Sequence, residues 1–97
     1  MDTESDVPVY VISVAARLSG LPAWMLRLLD QEGIVVPTRT EKNRRLYSDQ
    51  DIERLERVRY LTEVRGVNMS GVKVIFEMEK ESASEGEHPP AENSRNQ

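Results

Sequence analysis

Residues 13–33 have the sequence SVAARLSGLPAWMLRLLDQEG, which predicts two short helices joined by a tight turn. Ser13 is the expected N-cap of the first helix, because serine commonly caps helix starts. Gly20 supplies the positive φ that a helix exit often needs. The second helix is expected to begin at Pro22, whose missing N–H would be unsatisfied there anyway, and to stop at Gly33. Two helices joined in this way form a helix-turn-helix pattern.

The second helix of this pair carries apolar side chains at helical spacing, which predicts that they face the core or its edge. These side chains are Trp24, Met25, Leu28 and Leu29. Leu26 lies outside that set, so the helix is expected to make contacts on more than one side.

Short β-prone runs flank the helix pair and enclose a basic segment. Residues 9–12 (VYVI) precede the first helix, residues 34–37 (IVVP) follow the second, and Leu46-Tyr47 can return as a paired strand. Between the last two runs lie four basic side chains, Arg39, Lys42, Arg44 and Arg45. A strand, a basic loop and a strand after a helix-turn-helix predict a wing. The expected fold class is therefore mainly α with a small β wing.

Two more helices are predicted after the wing. Ser48 begins the third helix, Asp51 stands where it can complete a capping box, and Gly66 ends it. The apolar stripe of that helix is Ile52, Leu55, Val58 and Leu61. Ser70 is the expected cap of the fourth helix, whose apolar side chains are Val72, Ile75 and Phe76.

The sequence predicts one folded domain, residues 9–80, between two tails. Residues 1–8 and 81–97 are polar and acidic, so both are expected to be disordered. The net charge of the 97 residues is −4, yet residues 7–80 contain 12 Lys/Arg against 10 Asp/Glu. Within residues 17–45 the ratio is six to three. A mildly basic centre is compatible with a nucleic-acid partner, and equally with an ordinary solvated surface.

Several classes of site and location are not expected from the composition. Cysteine is absent, and the sole histidine, His88, lies in a predicted tail without ligand partners, so no metal or other cofactor is expected. The sequence contains no phosphate-binding glycine loop, catalytic triad spacing or paired acids, so an enzyme is not expected. The acidic N-terminus is unlike a signal peptide, and no apolar run approaches the ~20 residues of a membrane span. A cytoplasmic protein without a membrane partner is expected.

A series of ordered motifs extends over residues 9–80. It consists of Tyr10-Val-Ile12-Ser13, Ala15-Ala16, Gly20, Leu26-Arg27, Gly33-Ile34-Val35-x-Pro37-x-Arg39, Arg45-x-Tyr47-Ser48, Asp51-Ile52-x-x-Leu55 and Gly66-Val67-x-Met69-x-x-Val72-Lys73-x-Ile75. This series resembles the MerR family of winged helix-turn-helix regulators. The segments VYVISVAARLSG and GVNMSGVKVI are most similar to the heat-shock repressor (HspR-like) branch.

The resemblance implies a sequence-specific transcriptional regulator, a repressor of stress or chaperone genes, bound to a double-stranded DNA operator. The recognition helix, residues 22–32, would enter the major groove, and the wing, residues 38–46, would contact the backbone or minor groove. A homodimer and a chaperone co-repressor are further implied partners. The family dimerises through a long C-terminal helix, whereas little sequence follows Lys80 here. A metal or drug sensor is therefore not expected, and the route to dimerisation stays open.

The sequence also departs from the family pattern at three places. The recognition helix has Met25 and Leu29 where the family usually has a threonine and an aromatic residue. That aromatic commonly contacts the DNA backbone in the family, so the resemblance does not imply this contact for Leu29. The wing has Asn43-Arg44 in place of the usual Gly-Tyr.

Nine residues are expected to contact DNA: Ser13, Arg17, Trp24, Arg27, Arg39, Lys42, Arg44, Arg45 and Tyr47. Arg27 is the first of these, because a guanidinium can bond bidentately to guanine or clamp a phosphate. It could instead pair with Asp30 or Gln31 on the surface. Arg45 could pair with an acidic group, Tyr47 could pack inside instead of offering its hydroxyl to a phosphate, and Trp24 could cap the core.

Two alternative functions compete with a dimeric repressor. The first is a monomeric DNA-binding or architectural module that assembles on direct repeats. The second is a protein-interaction module that uses the apolar face of the last helix, Val72, Ile75 and Phe76.

Overall fold

A computed structural model describes residues 3–85, in which helices pack around a small antiparallel sheet. A 3-10 turn at Thr3–Asp6 is followed by strand β1 at Pro8–Val11 and by helices α1 at Ile12–Ser19 and α2 at Ala23–Gln31. Strands β2 at Thr38–Arg39 and β3 at Arg45–Ser48 come next. Helix α3 at Asp49–Arg59 continues into a π-helical turn at Tyr60–Val64, and helix α4 occupies Met69–Glu85. The predicted fold class, mainly helical with a small β wing, is confirmed.

The sheet has the strand order β1-β3-β2, with both pairs antiparallel. Tyr10 pairs with Tyr47 across β1 and β3, and Arg39 pairs with Arg45 across β2 and β3. The wing is therefore β2, β3 and the turn between them. The strand preceding the helix pair also joins this sheet, so the wing is anchored to the start of α1.

The predicted strand at residues 34–37 is wrong. Ile34 and Val35 are buried, and their backbone N–H groups both donate to the carbonyl of Leu29, at 2.9 and 3.3 Å. These residues thus close the end of α2 and fill the core instead of pairing in the sheet. The strand begins only at Thr38, after the buried Pro37.

In the helix pair, the C-terminal glycines are as predicted, but the N-terminal caps are not. Gly20 has φ 78° and donates to the carbonyl of Ala16 at 3.0 Å, and Gly33 has φ 74°. Ser13 is not an N-cap, because β1 runs directly into α1 and the extended residue Val11 occupies the cap position. Pro22 is the N-cap of α2, so that helix begins one residue later than expected.

The third helix has the predicted cap and the fourth does not. The Ser48 hydroxyl accepts from the Asp51 N–H at 3.1 Å, and the Asp51 carboxylate accepts from the Ser48 N–H at 3.0 Å. In α4, the Asn68 side chain accepts from the Gly71 N–H at 2.9 Å. Asn68 therefore performs the capping role that was assigned to Ser70, which lies inside the helix.

One apolar core unites all the helices and β3. Its buried side chains are Ala15, Leu21, Leu26, Leu29, Ile34, Val35, Tyr47, Ile52, Leu55, Val58, Leu61 and Val72. On α2 the core-facing residues are Leu26 and Leu29, with Met25 half-buried beside them. Trp24 is 60% exposed, so its predicted place in the core is wrong. It lies about 200° around the helix from Leu26, on the side away from the core.

The apolar face of α4 packs on this core. Val72 is fully buried, and Ile75 and Phe76 are half-buried against it. The protein-interaction alternative assigned a partner to these three residues, but they serve mainly to attach α4 to the rest of the domain.

The predicted domain boundaries differ slightly from the observed elements. Thr3–Asp6 forms a 3-10 turn within a segment expected to be disordered, and β1 begins at Pro8. Helix α4 continues to Glu85, five residues past the predicted boundary at 80. Residues 86–97, most of the predicted C-terminal tail with His88, lie outside the described residues.

Candidate nucleic-acid interface

The recognition helix α2 presents one exposed cation, Arg27. Within residues 3–85 its guanidinium forms no ion pair or side-chain hydrogen bond. The surface pairing with Asp30 that the sequence allowed does not occur, because the Asp30 carboxylate is occupied by two wing arginines. Arg27 is thus available to a ligand. Its position on the second helix of the helix-turn-helix is the one from which base edges are read.

The wing contains two engaged and two free cations. Arg39 and Arg45 both bind Asp30, with nitrogen–oxygen distances of 2.9 and 2.8 Å. The side chains of Lys42 and Arg44 are exposed and have no ion pair in the described part of the chain. Arg45 therefore adopts the acid-paired alternative, whereas Lys42 and Arg44 provide the positive charge at the wing tip.

The wing tip itself is a tight turn, residues 40–44, which we call the wing turn. The Thr40 N–H donates to the Arg44 carbonyl and the Asn43 N–H donates to the Thr40 carbonyl, each at 2.8 Å. The Thr40 hydroxyl accepts from the Arg44 N–H at 3.1 Å. Asn43 has φ 64°, a conformation that glycine and asparagine adopt most readily. This backbone requirement explains how Asn43 can stand where the family usually has glycine.

The first helix adds two polar groups to the same module. Ser13 and Arg17 are exposed, lie four residues apart on α1, and the Arg17 side chain has no ion pair within residues 3–85. On α2, the exposed indole of Trp24 stands at the start of the recognition helix. These three side chains are accessible, as a role in DNA contact requires.

Tyr47 was predicted to contact DNA, but its position in the structure does not allow that role. Its side chain is fully buried, and its hydroxyl has no hydrogen-bond partner among the described residues. Burial raises the pKa of Tyr47 to about 12. The alternative of a packed tyrosine is therefore correct, because a ligand cannot reach this hydroxyl without displacing the core.

Replacing Tyr47 with phenylalanine is expected to stabilise the domain by about 1 kcal/mol, because an unpaired buried hydroxyl is costly. The folded pKa lies above the usual 10.0 because burial disfavours the phenolate, so ionisation of Tyr47 costs no stability below pH 10 and lowers stability as the pH rises from 10 through 12. Urea unfolding at pH 7 and at high pH measures both effects. The variant should gain stability at pH 7 and lose less between pH 10 and 12. A destabilised variant would contradict the burial argument.

The recognition-helix position where the family usually has an aromatic residue is a core position in this chain. Leu29 is fully buried, and Met25 is half-buried against the same core. Leu29 is therefore not accessible to a ligand. The apolar character of α2 therefore reflects packing, and the fully buried Leu29 cannot make the backbone contact that an aromatic residue makes at this position in the family.

Asn43 provides a test of the wing turn. An Asn43→Ala variant should lose about 1 kcal/mol of unfolding free energy, since alanine tolerates the left-handed conformation poorly. It also loses the amide oxygen that accepts from Arg39 at 3.3 Å. Asn43→Gly removes the same amide, but glycine adopts the positive φ without strain, so its unfolding free energy should stay within about 0.5 kcal/mol of the parent. Equal loss in both variants, measured by urea unfolding, would show that backbone conformation is not the cause.

Asp30 binds both Arg39 and Arg45, a role that was not predicted from the sequence. Asp30 was considered only as a partner for Arg27, whereas its side chain is 9% exposed and is paired with the two wing arginines. The sequence does place an acidic residue at the end of the recognition helix, shortly before a segment with four cations, and this pattern allows an ion pair between the helix and the wing. The actual pairing depends on how the wing folds back on α2.

Other kinds of site find no support in the described part of the chain. No group of three or more histidine, aspartate or glutamate side chains there is placed to hold a metal ion. None of the helices there is long and apolar enough to cross a membrane.

The arrangement of a helix-turn-helix followed by a two-strand wing matches a known family. Residues 10–79 match the model of the MerR HTH family regulatory proteins, which is more than half of the chain. The chain belongs to the MerR family. The match covers α1, α2, the wing, α3 and most of α4, so the interface described above lies wholly within the MerR domain.

Individual MerR-family relatives agree with this assignment. The chain is 50% identical over 78 residues to the heat shock protein HspR of Streptomyces coelicolor, covering 80% of this chain and 52% of that protein. It is 36% identical over 78 residues to the HTH-type transcriptional regulator GlnR of Bacillus anthracis, covering 80% and 59%. The chain therefore spans little more than half the length of these relatives.

A solved MerR-family structure superposes on the fold. HiNmlR, described as a MerR family regulator lacking the sensor domain and bound to promoter DNA, matches with a TM-score of 0.68 and 26% sequence identity. The match covers 80% of this chain and 59% of that one.

Proposed function

We propose that this MerR-family chain is a sequence-specific regulator of transcription that binds double-stranded DNA. Helix α2 enters the major groove, and the wing contacts the backbone or minor groove. The observation that carries the proposal is the placement of three exposed, unneutralised cations, Arg27 on α2 and Lys42 and Arg44 on the wing. Within residues 3–85 the single carboxylate of Asp30 pairs with both Arg39 and Arg45, whereas these three cations have no acidic partner.

Each of these cations has a distinct role in this proposal. Arg27 reads a base edge, because a guanidinium can donate two hydrogen bonds to guanine. Lys42 and Arg44 bind phosphates, which gives affinity and register but little sequence information. Arg17 and Ser13 add phosphate contacts from α1, and the exposed Trp24 packs on the sugar–phosphate backbone. Arg39 and Arg45 hold the wing through Asp30 and have no phosphate contact in this proposal.

The regulated genes are those of the heat-shock or chaperone response, and the effect is repression. Support comes from the 50% identity to HspR of Streptomyces coelicolor. The DNA-bound state of HiNmlR supports the docking of this domain on promoter DNA. The site of action is the cytoplasm, where the DNA lies, and no enzymatic activity forms part of the proposal.

The partner copy is a second molecule of this chain, bound to an inverted repeat. Recognition helices of dimeric regulators read half-sites about one helical turn apart, so a dimer would require a palindromic operator. The competing arrangement is a monomer on direct repeats. A chaperone co-repressor belongs to the same proposal, and it predicts tighter operator binding when the chaperone is added.

Genome-wide footprinting of bound DNA, with the solution mass measured on the same sample, tests the proposal. Enriched inverted repeats upstream of chaperone genes and a dimer mass are the expected result. Direct repeats with a monomer mass would overturn the dimer but keep DNA binding. The absence of any enriched site at low salt would overturn the proposed function.

A further inference from the structure

We infer that Asp30 is a positioning residue that fixes the wing to the recognition helix and withholds two arginines from phosphate contact. The inference rests on the proposed DNA-binding function and names a residue that positions the wing for sequence-specific contact. One carboxylate oxygen, Oδ2 of Asp30, accepts from both Arg39 and Arg45, at 2.9 and 2.8 Å. We call these three residues the wing clamp.

Burial makes the wing clamp more costly to break than an ordinary surface ion pair. The Asp30 side chain is 9% exposed and that of Arg45 is 19% exposed, whereas Arg39 is 39% exposed. A carboxylate this buried needs a partner, because an unpaired buried charge is costly. The two arginines arrive from different strands, Arg39 from β2 and Arg45 from β3, and the same two residues are cross-strand partners. The carboxylate therefore fixes both wing strands to α2.

The wing clamp extends to the wing turn. Nη2 of Arg39 donates to Asp30, and Nη1 of the same guanidinium donates to the Asn43 carbonyl at 3.2 Å and to the Asn43 amide oxygen at 3.3 Å. Asn43 lies between Lys42 and Arg44, the two free cations. Hydrogen bonds thus run from the end of the recognition helix through Arg39 to the residue that sets the turn. The positions of Lys42 and Arg44 relative to Arg27 depend on this connection.

The charges of the wing clamp have a second consequence. Without Asp30, four wing cations rather than two would be available to phosphates. Every extra phosphate contact raises affinity for any DNA and steepens the salt dependence of binding. Loss of the acid should therefore strengthen non-specific binding while it weakens the match to one sequence. An effect in these two opposite directions distinguishes positioning from a purely structural role.

The test compares Asp30→Asn with Glu32→Gln in the 97-residue chain. Both changes remove one negative charge near the end of α2, but Glu32 is exposed and, within residues 3–85, its one ion pair is with Lys73, at 3.6 Å. The probes are a duplex that carries the consensus selected by the parent chain from a random library, and a shuffled duplex of equal length. Fluorescence anisotropy gives the Kd of each at several salt concentrations.

Asp30→Asn is expected to bind the consensus about tenfold more weakly, a loss comparable to one mismatched base pair. Its affinity for the shuffled duplex should rise, and the slope of log K against log salt should steepen by about 1–2. Glu32→Gln should keep the ratio of consensus to shuffled affinity. An Asp30→Asn variant that behaves like Glu32→Gln would overturn the inference. Failure of the parent chain to prefer any duplex would instead overturn the proposed function.

Asp30→Glu keeps the inference testable if the asparagine variant does not fold, as judged by circular dichroism. The side chain retains the charge, but it is one methylene longer and is therefore expected to displace the wing. It should lower consensus affinity without steepening the salt slope. Parental consensus affinity in Asp30→Glu would overturn the positioning role.

Discussion

An Arg27→Glu variant is expected to bind its DNA site at least about 100-fold more weakly while it keeps the parental fold. Arg27 is exposed on α2 and has no ion pair within residues 3–85, so the folded domain does not need its charge. A bidentate contact to a base contributes about 1–3 kcal/mol of discrimination, and a carboxylate in the groove adds repulsion from the phosphates. Anisotropy with the selected duplex measures the loss, and circular dichroism measures the fold.

Lys80→Glu is the matched control for Arg27→Glu. Lys80 is likewise an exposed cation without an ion pair in the described residues, but it lies on α4, outside the helix-turn-helix and the wing. The charge change is identical, so Lys80→Glu should lose far less affinity. Arg27→Lys supplies a finer comparison, because it keeps the charge and loses the paired donors. It should retain binding to shuffled DNA and lose preference for the consensus. Equal losses in the Glu variants at positions 27 and 80 would show that only net charge matters.

A Leu29→Ala variant is expected to lose about 3 kcal/mol of unfolding free energy, as large-to-small changes in a packed core do. Leu29 is fully buried on α2, and Ile34 and Val35, whose N–H groups bind its carbonyl, belong to the same core. Domains are stable by only about 5–15 kcal/mol, so this is a large fraction of the total. The melting temperature should fall by about 12–24 °C.

Leu18→Ala provides the same chemical change at an exposed position. Leu18 lies on α1 and is 46% exposed, so its truncation leaves no comparable cavity. Its unfolding free energy should stay within about 1 kcal/mol of the parent. Similar losses in both variants would contradict the placement of Leu29 in the core.

Features set by local chemistry were predictable from the sequence. The positive φ at Gly20, Gly33 and Gly66 follows from the conformational freedom of glycine at helix ends. The capping box of Ser48 and Asp51 needs only two residues at the right spacing. These signals lie within a few residues of each other, so no knowledge of the tertiary fold is required.

Features that depend on competition between burial and local propensity were not predictable in the same way. Residues 34–37 have strand propensity, but the core needs Ile34 and Val35, and their N–H groups close α2. The predicted core-facing side of α2 was rotated by part of a turn from the observed one, because apolar residues occur on most of the helix circumference. Trp24 was therefore placed in the core-facing set and Leu26 outside it, whereas Trp24 is exposed and Leu26 is fully buried.

The pairing of charges was the least predictable part of the candidate interface. The sequence allowed an acidic partner for Arg45 but did not identify it, and Arg39 and Arg45 both bind Asp30, from nine and fifteen residues away. Which cation is free and which is engaged depends on the register of β2 and β3 and on the packing of α2. Tyr47 illustrates the same limit, because only the assembled core shows that its hydroxyl is inaccessible.

The central claim is that this domain reads a DNA sequence through α2 and the wing. Its most direct test is the ratio of Kd values for the shuffled and the selected duplex, measured by anisotropy between 50 and 200 mM salt, a range over which phosphate contacts weaken strongly. We expect a ratio of at least about 10³. Both affinities should fall steeply as salt increases. A ratio near one throughout that salt range would contradict the account.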